Sequence, residues 1–169
     1  FGLDRPWYQA YFVWAGHVAK GDLGSSIVRK VPVTRLIGER IGPTLLLSVS
    51  SLLITYALSI PLGLYASVRS GKTDERVSST MLFALYSLPA FVAALLMQIE
   101  FAVRHNWLPL YGMVSDNHDQ LSLAGRIWDI AKHAILPVTC STYVSLAYYS
   151  RFIRATMQET LRQDYIRTA

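Results

Sequence analysis

Three long stretches of the chain contain no Asp, Glu, Lys, Arg or His. They cover 41–68, 77–99 and 134–150, and are 28, 23 and 17 residues long. The hydrocarbon core of a bilayer is about 30 Å thick, so a helix needs roughly 20 apolar residues to cross it. The first two stretches meet this length. The third reaches it if the apolar residues just beyond Arg151 are added, because the long arginine side chain can snorkel to the interface.

The pattern therefore predicts an all-α, polytopic membrane protein with three transmembrane helices in this chain. We expect these helices at 41–68, 77–103 and 134–156. The composition agrees, because 52% of the residues are hydrophobic, 16% are charged and the mean hydropathy is +0.30, which excludes a disordered chain. A large soluble protein with buried helices is the alternative, and two long apolar runs in one small chain argue against it.

Positive charges beside the predicted spans indicate the orientation of the chain in the membrane. The short loop 69–76 and the tail 157–169 lie on the same face when the spans are counted, and closely spaced cations occur in this loop and after the third span. These cations are Arg69, Lys72, Arg76, Arg151, Arg154, Arg162 and Arg167. We predict that the loop and the tail are cytoplasmic. Segments 1–40 and 104–133 are then extracytoplasmic, and 1–169 forms a single transmembrane domain.

The N-terminal segment has a composition that suits a membrane interface. Trp7, Tyr8 and Tyr11 supply rings with an apolar body and a polar edge. Apolar positions over 33–41 recur at helical spacing with charged residues on the other side, which predicts a short amphipathic helix lying on the bilayer. Pro43 is expected to begin the first span, where its missing N–H costs little.

Small side chains repeat every four residues in the first predicted span. This stripe consists of Ser51, Thr55, Ser59, Gly63 and Ser67. A stripe of small residues lets another helix approach closely, so we interpret it as a packing surface. Pro61 and Pro89 lie inside the first and second spans, where each removes a backbone hydrogen bond and can bend its helix.

Hydroxyl groups make the third predicted span the most polar of the three. They belong to Thr139, Thr142, Tyr143, Ser145, Tyr148 and Tyr149. Hydroxyls without charges suit the lining of a wet, non-selective pathway, and interhelical hydrogen bonds explain them equally well. We name Thr139, Thr142, Tyr143, Ser145 and Tyr149 as candidate pathway-lining residues and leave both interpretations open.

Motifs for catalysis and for cofactor binding are incomplete in this sequence. Gly71-Lys72-Thr73 matches the end of a phosphate-binding loop, but Ala66 stands where that loop needs a glycine. The segment 116–119 lacks the glycine and the spacing of a calcium loop, which favours a solvated external turn. Cys140 is the single cysteine, which excludes an internal disulfide framework and a multi-cysteine zinc site. We predict no enzymatic activity, no metal and no cofactor bound by this chain.

The remaining ionisable groups do not indicate a different class of protein. The net charge of +5 does not indicate a nucleic-acid partner, because the charges lie between apolar blocks. Glu100 lies within one turn of Arg104, and we expect an interfacial charge there and not a proton relay. His17, His105 and His133 flank the predicted membrane segments and find no nucleophile in a catalytic pattern.

Seven short segments of the chain form a recognisable set. They are 2–6, 21–26, 41–45, 60–63, 86–91, 136–137 and 162–169. Together they resemble the inner-membrane permease subunits of binding-protein-dependent ABC importers, specifically the first permease of the peptide and nickel uptake group. The resemblance covers the whole chain, and its most specific part is the final segment, Arg-Gln-Asp-Tyr-Ile-Arg-Thr-Ala.

That final segment is similar to the start of the cytoplasmic loop through which these permeases dock into their ATPase subunits. Its last three residues fall where other importer families place Glu-Ala-Ala. The family's loop continues with a glycine that this chain does not reach. The resemblance implies the following ATPase-coupling residues: Arg162, Gln163, Asp164, Tyr165, Arg167, Thr168 and Ala169.

The resemblance also implies the architecture and the partners of the whole protein. We expect six helices in the intact permease, one before Phe1 and two after Ala169, and hence a chain that is a fragment. The implied partners are a second homologous permease subunit, two cytoplasmic ATPase subunits that bind ATP and magnesium, an extracytoplasmic solute-binding protein and the lipid of the bacterial inner (plasma) membrane. The implied function is import of peptides or a similar small solute by alternating access. The alternatives are the permease of a related exporter and a membrane-embedded enzyme or scaffold.

Overall fold

A computed structural model of the chain describes residues 6–161 and 163, and within these ranges it is helical without β-strands. The helices are α1 (Trp7–Ala19), α2 (Val33–Val68), α3 (Thr73–Ser87), α4 (Ala90–Met97), a π-helical segment (Gln98–Arg104), a 3-10 turn (His118–Gln120) and α5 (Leu123–Thr160). The all-α class predicted from the sequence is therefore confirmed for this part of the chain. The chain forms two compact units, 1–46 and 47–169, and the division between them falls inside α2.

The first unit consists of an aromatic helix and a tight loop. None of the residues of α1 is buried, and the Trp7 side chain is 82% exposed. In the loop that follows, the Asp22 carboxylate accepts hydrogen bonds from the Gly24 backbone N–H at 2.9 Å and from the His17 ring at 3.1 Å. The Val33 N–H then donates to the Gly24 carbonyl at 2.9 Å, which brings the chain to the start of α2.

One helix of the described chain is long and apolar enough by itself to cross a membrane. This helix is α2, which has 36 residues and a mean hydropathy of 1.9 in its most apolar window. The segments Thr73–Ser87 and Ala90–Arg104 meet the same criterion only together, and they are bent by 91° where they join. Residues 6–161 therefore contain one such helix, or two if the bent pair counts as one broken or re-entrant span. The third predicted span, in α5, stays a prediction.

The prediction that a new helix begins at Pro43 was wrong, whereas the membrane bounds 41–68 of the first span stay a prediction. The structure has one helix from Val33 through Pro43 and Pro61 to Val68, and not a surface helix followed by a new helix at Pro43. A proline inside a helix removes one hydrogen bond, whereas ending and restarting a helix leaves four N–H and four C=O groups without intrahelical partners. Continuing the helix is therefore the less costly solution.

The second predicted span is divided at Pro89. A residue that precedes proline is disfavoured in the helical region, and Leu88 has extended backbone angles, φ −81° and ψ 122°. Helix α3 therefore ends at Ser87, and α4 begins after Pro89. The Tyr143 hydroxyl of α5 donates to the Leu88 carbonyl at 3.2 Å, which satisfies a backbone acceptor at this break.

Helix α5 begins eleven residues before the predicted third span. Its N-cap is Ser122, whose side chain accepts a hydrogen bond from the Gly125 N–H at 3.3 Å. The helix then continues through Pro137 to Thr160. As a result, residues 123–133, which the sequence places in an external loop, form the first three turns of the longest helix of the chain.

The second unit buries small and polar side chains and exposes large apolar ones. Among its described residues the buried hydrophobic ones are Ala93, Ala102, Val138 and Ala147, whereas Leu53, Phe91 and Leu96 are more than half exposed. An apolar surface of this kind is unfavourable in water, and it is the expected arrangement where lipid or other membrane helices cover the surface.

Four members of the predicted small-residue stripe are the buried residues of α2. They are Thr55, Ser59, Gly63 and Ser67. The stripe approaches α5 closely at Gly63, where a Cβ atom would lie 2.7 Å from the Cβ of Ile153 and 2.9 Å from the Ser150 carbonyl oxygen. Only glycine fits this contact without a shift of one helix relative to the other.

We predict that Gly63→Ala lowers the free energy of unfolding of the intact protein by about 1–3 kcal/mol, the usual cost of overpacking. The measurement is SDS-induced unfolding in detergent micelles, followed by circular dichroism. Gly42→Ala is the matched control, because nothing lies within 4 Å of a Cβ added at that position of the same helix. Equal effects of the two substitutions would contradict the close α2–α5 contact.

Candidate functional site

The candidate site lies where the turn between α2 and α3 meets the last turns of α5. The turn is short, and its geometry requires a residue in the left-handed region, which Gly71 supplies with φ +85°. The Lys72 N–H donates to the Arg69 carbonyl at 3.0 Å and closes the turn. Because α2 and α5 pack together at Gly63, the turn lies beside the C-terminal end of α5.

Asp74 fixes the turn from the first turn of α3. Its Oδ2 atom accepts hydrogen bonds from the Tyr65 hydroxyl at 2.5 Å and from Arg69 Nε at 2.8 Å, and it forms an ion pair with Arg69 Nη2 at 2.6 Å. The hydrogen bond from Tyr65 has the largest effect on the pKa of Asp74, and together with the hydrogen bond from Arg69 it lowers this pKa to about 2. The carboxylate is therefore ionised at neutral pH and joins the end of α2 to the start of α3.

Glu75 is the most deeply buried charged side chain of the site. Only 3% of the residue is exposed. Its Oε1 atom accepts a hydrogen bond from the Ser79 hydroxyl at 2.6 Å and forms an ion pair with Arg154 Nη1 of α5, while Oε2 accepts a weaker hydrogen bond from the Gly71 N–H at 3.4 Å. The Ser79 hydrogen bond has the largest lowering effect on the pKa of Glu75, and the Gly71 hydrogen bond and the Arg154 charge add to it. Burial acts in the opposite direction and raises the pKa. Glu75 is thus held as a buried carboxylate.

A second polar contact between the turn and α5 lies about one helical turn further along α5. In this contact, Gln158 Nε2 donates to the Ser70 hydroxyl at 3.0 Å. Arg154 Nη1, which pairs with Glu75, also donates to the Ser79 hydroxyl of α3 at 3.1 Å. We call the group formed by Ser70, Glu75, Ser79, Arg154 and Gln158 the clamp. Its members come from three parts of the chain, namely the α2–α3 turn, α3 and α5.

Most of the predicted ATPase-coupling residues lie outside the described residues. These are Arg162, Asp164, Tyr165, Arg167, Thr168 and Ala169. Gln163 is described, is exposed, and donates its backbone N–H to the Thr160 carbonyl at 3.0 Å. Since α5 ends at Thr160, the clamp lies on the last two turns of helix before the predicted coupling segment.

The candidate pathway residues of α5 occupy different environments. Thr142 is buried, and its hydroxyl lies 3.5 Å from the Ser51 carbonyl oxygen of α2, the outer limit for a hydrogen bond. The Tyr149 ring lies 5.1 Å from the Tyr56 ring of α2. Thr139 is exposed, and Tyr143 and Ser145 are half-buried. The contacts of Thr142, Tyr143 and Tyr149 favour interhelical bonding for these three residues, and a pathway role for the set stays a prediction.

At the other end of α5, Asp129 organises the loop that follows the π-helical segment. Its carboxylate accepts hydrogen bonds from the Ser115 N–H at 2.9 Å, from the Ser115 hydroxyl at 2.6 Å and from His118 Nδ1 at 2.7 Å. His133 Nδ1 contacts the Asp129 carbonyl oxygen at 2.8 Å. The Ser115 hydrogen bonds, aided by His118, lower the pKa of Asp129 to about 2.

These contacts change the interpretation of the segment 116–119. Asp116, Asn117 and Asp119 are exposed, as expected of a solvated turn, whereas His118 is half-buried against Asp129. Among the residues that the structure describes, no three His, Cys, Asp or Glu side chains come together in a metal-binding group. Within the π-helical segment, Glu100 pairs with Arg104 at 2.8 Å, at an exposed position.

Sequence reasoning did not find the ion pair between Glu75 and Arg154. From the sequence alone, Arg154 is one of several cations that indicate orientation. A signal was present, because Asp74 and Glu75 are the only acidic residues between Glu39 and Glu100. Arg154 and Gln158 are also spaced four residues apart, so both lie on one face of α5.

The comparisons with known proteins agree on one family. The family described as a binding-protein-dependent transport system inner membrane component matches residues 59–169. The oligopeptide transport system permease protein AppB of Bacillus subtilis is 35% identical over 171 residues, which cover 100% of this chain and 52% of AppB. The dipeptide transport system permease protein DppB of Escherichia coli K12 is 33% identical over 184 residues, 99% of this chain and 54% of DppB. A Brucella ovis protein with the provisional name of peptide permease protein is 37% identical over 169 residues, 99% of this chain and 51% of that protein. The chain thus spans about half the length of the curated relatives it matches.

Asp129 gives a prediction with a defined dependence on pH. Because its pKa falls from 3.8 to about 2 in the folded chain, its stabilising effect is complete above pH 3.8 and is lost as the pH falls through about 2. We expect Asp129→Asn to open the loop around Ser115 severalfold more often at neutral pH, and the difference from the wild type to vanish at the acid end of this window.

Limited proteolysis of this loop in the intact protein measures the opening, with pepsin as the protease for the acid range. Asp116→Asn is the control, because Asp116 is exposed in the same loop. A difference between the Asp129→Asn variant and the wild type that stays constant down to about pH 2 would show that the carboxylate does not hold the loop.

Proposed function

Since the chain belongs to the family of binding-protein-dependent transport system inner membrane components, we propose that it is part of a membrane-spanning permease subunit of an ATP-driven importer. The observation that carries the proposal is the family match over 59–169, which runs through α5 and into the predicted coupling residues. In this proposal the intact subunit forms half of a translocation pathway. The chain itself catalyses no change of covalent bonds.

The length of α5 supports a mechanical role. At about 1.5 Å per residue, its 38 residues reach about 57 Å, which exceeds the roughly 30 Å of the hydrocarbon core. Such a helix joins a loop on one face of the membrane to the coupling segment on the other face. Closure of cytoplasmic ATPase subunits would then move the helix as a rigid body and shift the balance between inward-open and outward-open states.

The exposed apolar surface of the second unit supports neighbouring helices and lipid as partners. We propose that a second homologous permease subunit covers part of this surface, with two ATPase subunits that bind ATP and magnesium at the coupling segment. An extracytoplasmic solute-binding protein would deliver the solute. The location would be the bacterial inner (plasma) membrane with several spans, and loop 69–76 would face the cytoplasm.

Peptides are the substrate class that the relatives support best. AppB and DppB carry oligopeptide and dipeptide transport in their names, and we propose peptide uptake for this protein on that similarity. An exporter is disfavoured, because the family is defined by transport that depends on a binding protein. A membrane-embedded enzyme would need paired ionisable groups in a pocket at membrane depth, and the buried pair of Glu75 with Arg154 lies at the end of the helices.

We predict that deletion of 161–169 from the intact protein, or Arg167→Glu, abolishes ATP-dependent uptake and leaves membrane insertion intact. The coupling segment would then no longer transmit ATPase closure to α5. Uptake of a labelled peptide into proteoliposomes that hold the complete transporter and the added binding protein measures the effect. Arg35→Glu is the control, because Arg35 is exposed and far along the chain from the coupling segment. Normal uptake in the deletion variant would refute the coupling role.

We predict that Lys72→Cys and Asp116→Cys, each in the intact protein with Cys140 and any other native cysteine replaced by serine, are labelled from opposite faces of the membrane. Both positions are exposed, and the proposed topology places residue 72 in the cytoplasm and residue 116 outside. A membrane-impermeant maleimide added to whole spheroplasts should modify only the position-116 variant, and lysis should make both reactive. Labelling of both variants before lysis would contradict the topology.

A further inference from the structure

We propose that Glu75 and Arg154 form a positioning pair that makes the α2–α3 turn move together with the coupling end of α5. The inference rests on the proposed function, because it concerns how motion of the coupling segment reaches the rest of the permease. It assigns a role to two residues that lie outside the predicted coupling segment. Neither residue is expected to touch the transported solute.

The pair lies at the coupling end of α5. Arg154 lies on α5 six residues before the helix ends at Thr160, and Glu75 lies in the first turn of α3. The ion pair therefore joins the last helical turns before the coupling segment to Glu75 of α3, which lies 79 positions earlier in the chain. The Ser70–Gln158 hydrogen bond adds a second point of attachment, so that rotation of one element relative to the other is resisted.

Both side chains of the pair are mostly buried. Glu75 is almost fully buried and the Arg154 side chain is 28% exposed. Breaking a buried pair by removing one partner leaves an uncompensated charge, whereas the net gain from such a pair over apolar residues is small. A pair of this kind contributes less to overall stability than to fixing one arrangement of the two helices.

The neighbouring ion pair of the same turn offers a contrast. Asp74 and Arg69 also form an ion pair, but their side chains are 35% and 42% exposed. The pair joins the first turn of α3 to the residue after α2, without a contact to α5 among the described hydrogen bonds. Partly exposed pairs have a small effect. Arg69→Gln is therefore a matched control, because it removes an arginine from the same turn and leaves the α5 attachment in place.

The decisive experiment measures peptide uptake and ATP hydrolysis in the same proteoliposomes, with the complete transporter and its binding protein. The variants are Arg154→Gln, Arg154→Lys and Ser79→Ala, the last of which removes the hydroxyl bonded to both Glu75 and Arg154. We expect Arg154→Gln to lower the number of peptides imported per ATP about tenfold, within the range typical of coupling between sites. Arg154→Lys should restore part of this ratio, Ser79→Ala should lower it less, and Arg69→Gln should leave it unchanged.

The ratio separates a positioning role from a merely structural one. A loss of folding or of assembly reduces uptake and ATP hydrolysis in parallel and leaves the ratio unchanged in the assembled fraction. If Arg154→Gln does not assemble, Ser79→Ala decides the question, because it removes no charge. A wild-type ratio in each assembled variant, with normal wild-type uptake, would overturn the positioning role alone. A wild-type transporter without binding-protein-dependent uptake would overturn the proposed function and the inference with it.

Discussion

The contact between Gly63 of α2 and Ile153 of α5 is the constraint on which the rest of the second unit depends. A glycine at this position lets the two helices approach until the space of a Cβ atom is already occupied, 2.7 Å from Ile153. Because the contact lies near the end of both helices, it brings the turn after α2 next to the final turns of α5. The hydrogen bonds and the ion pair of the clamp join this turn and the start of α3 to the same end of α5.

Small and polar side chains do the packing in this chain because lipid removes the usual advantage of burying large apolar ones. Association of helices in a membrane depends on close van der Waals contact and on interhelical hydrogen bonds. The second unit uses both, with the stripe around Ser59 for contact and the Tyr143 hydroxyl for the carbonyl at the α3–α4 break. The ionised pair of Glu75 and Arg154 lies at the end of the helices, where a charge costs less than it does at the centre of a bilayer.

Local sequence patterns predicted those parts of the fold that depend on residue spacing within one helix or on a single proline. Four-residue spacing identified the buried face of α2, and Pro89 marked the place where the second apolar run is divided. Helix boundaries were less accurate, because the cost of ending a helix at Pro43 outweighs one lost hydrogen bond and because Ser122 provides an early N-cap for α5. The pairing of Glu75 with Arg154 could not be derived, since it depends on how α5 packs against α3, a helix that lies far away along the chain.

The bend at Pro89 explains why so many polar contacts end on α5. A 91° bend leaves α3 and α4 pointing in different directions, so the two segments cannot support each other along their length. Helix α5 makes contacts along the bent pair: Arg154 binds the start of α3, Tyr143 bonds at the bend, and Asp129 holds the loop that follows the π-helical segment. One long helix thereby holds the bent pair and the loop after it at three places along its length. A displacement of its C-terminal end must then either carry α3 with it or break the buried ion pair, and the cost of leaving Glu75 unpaired favours movement as one body.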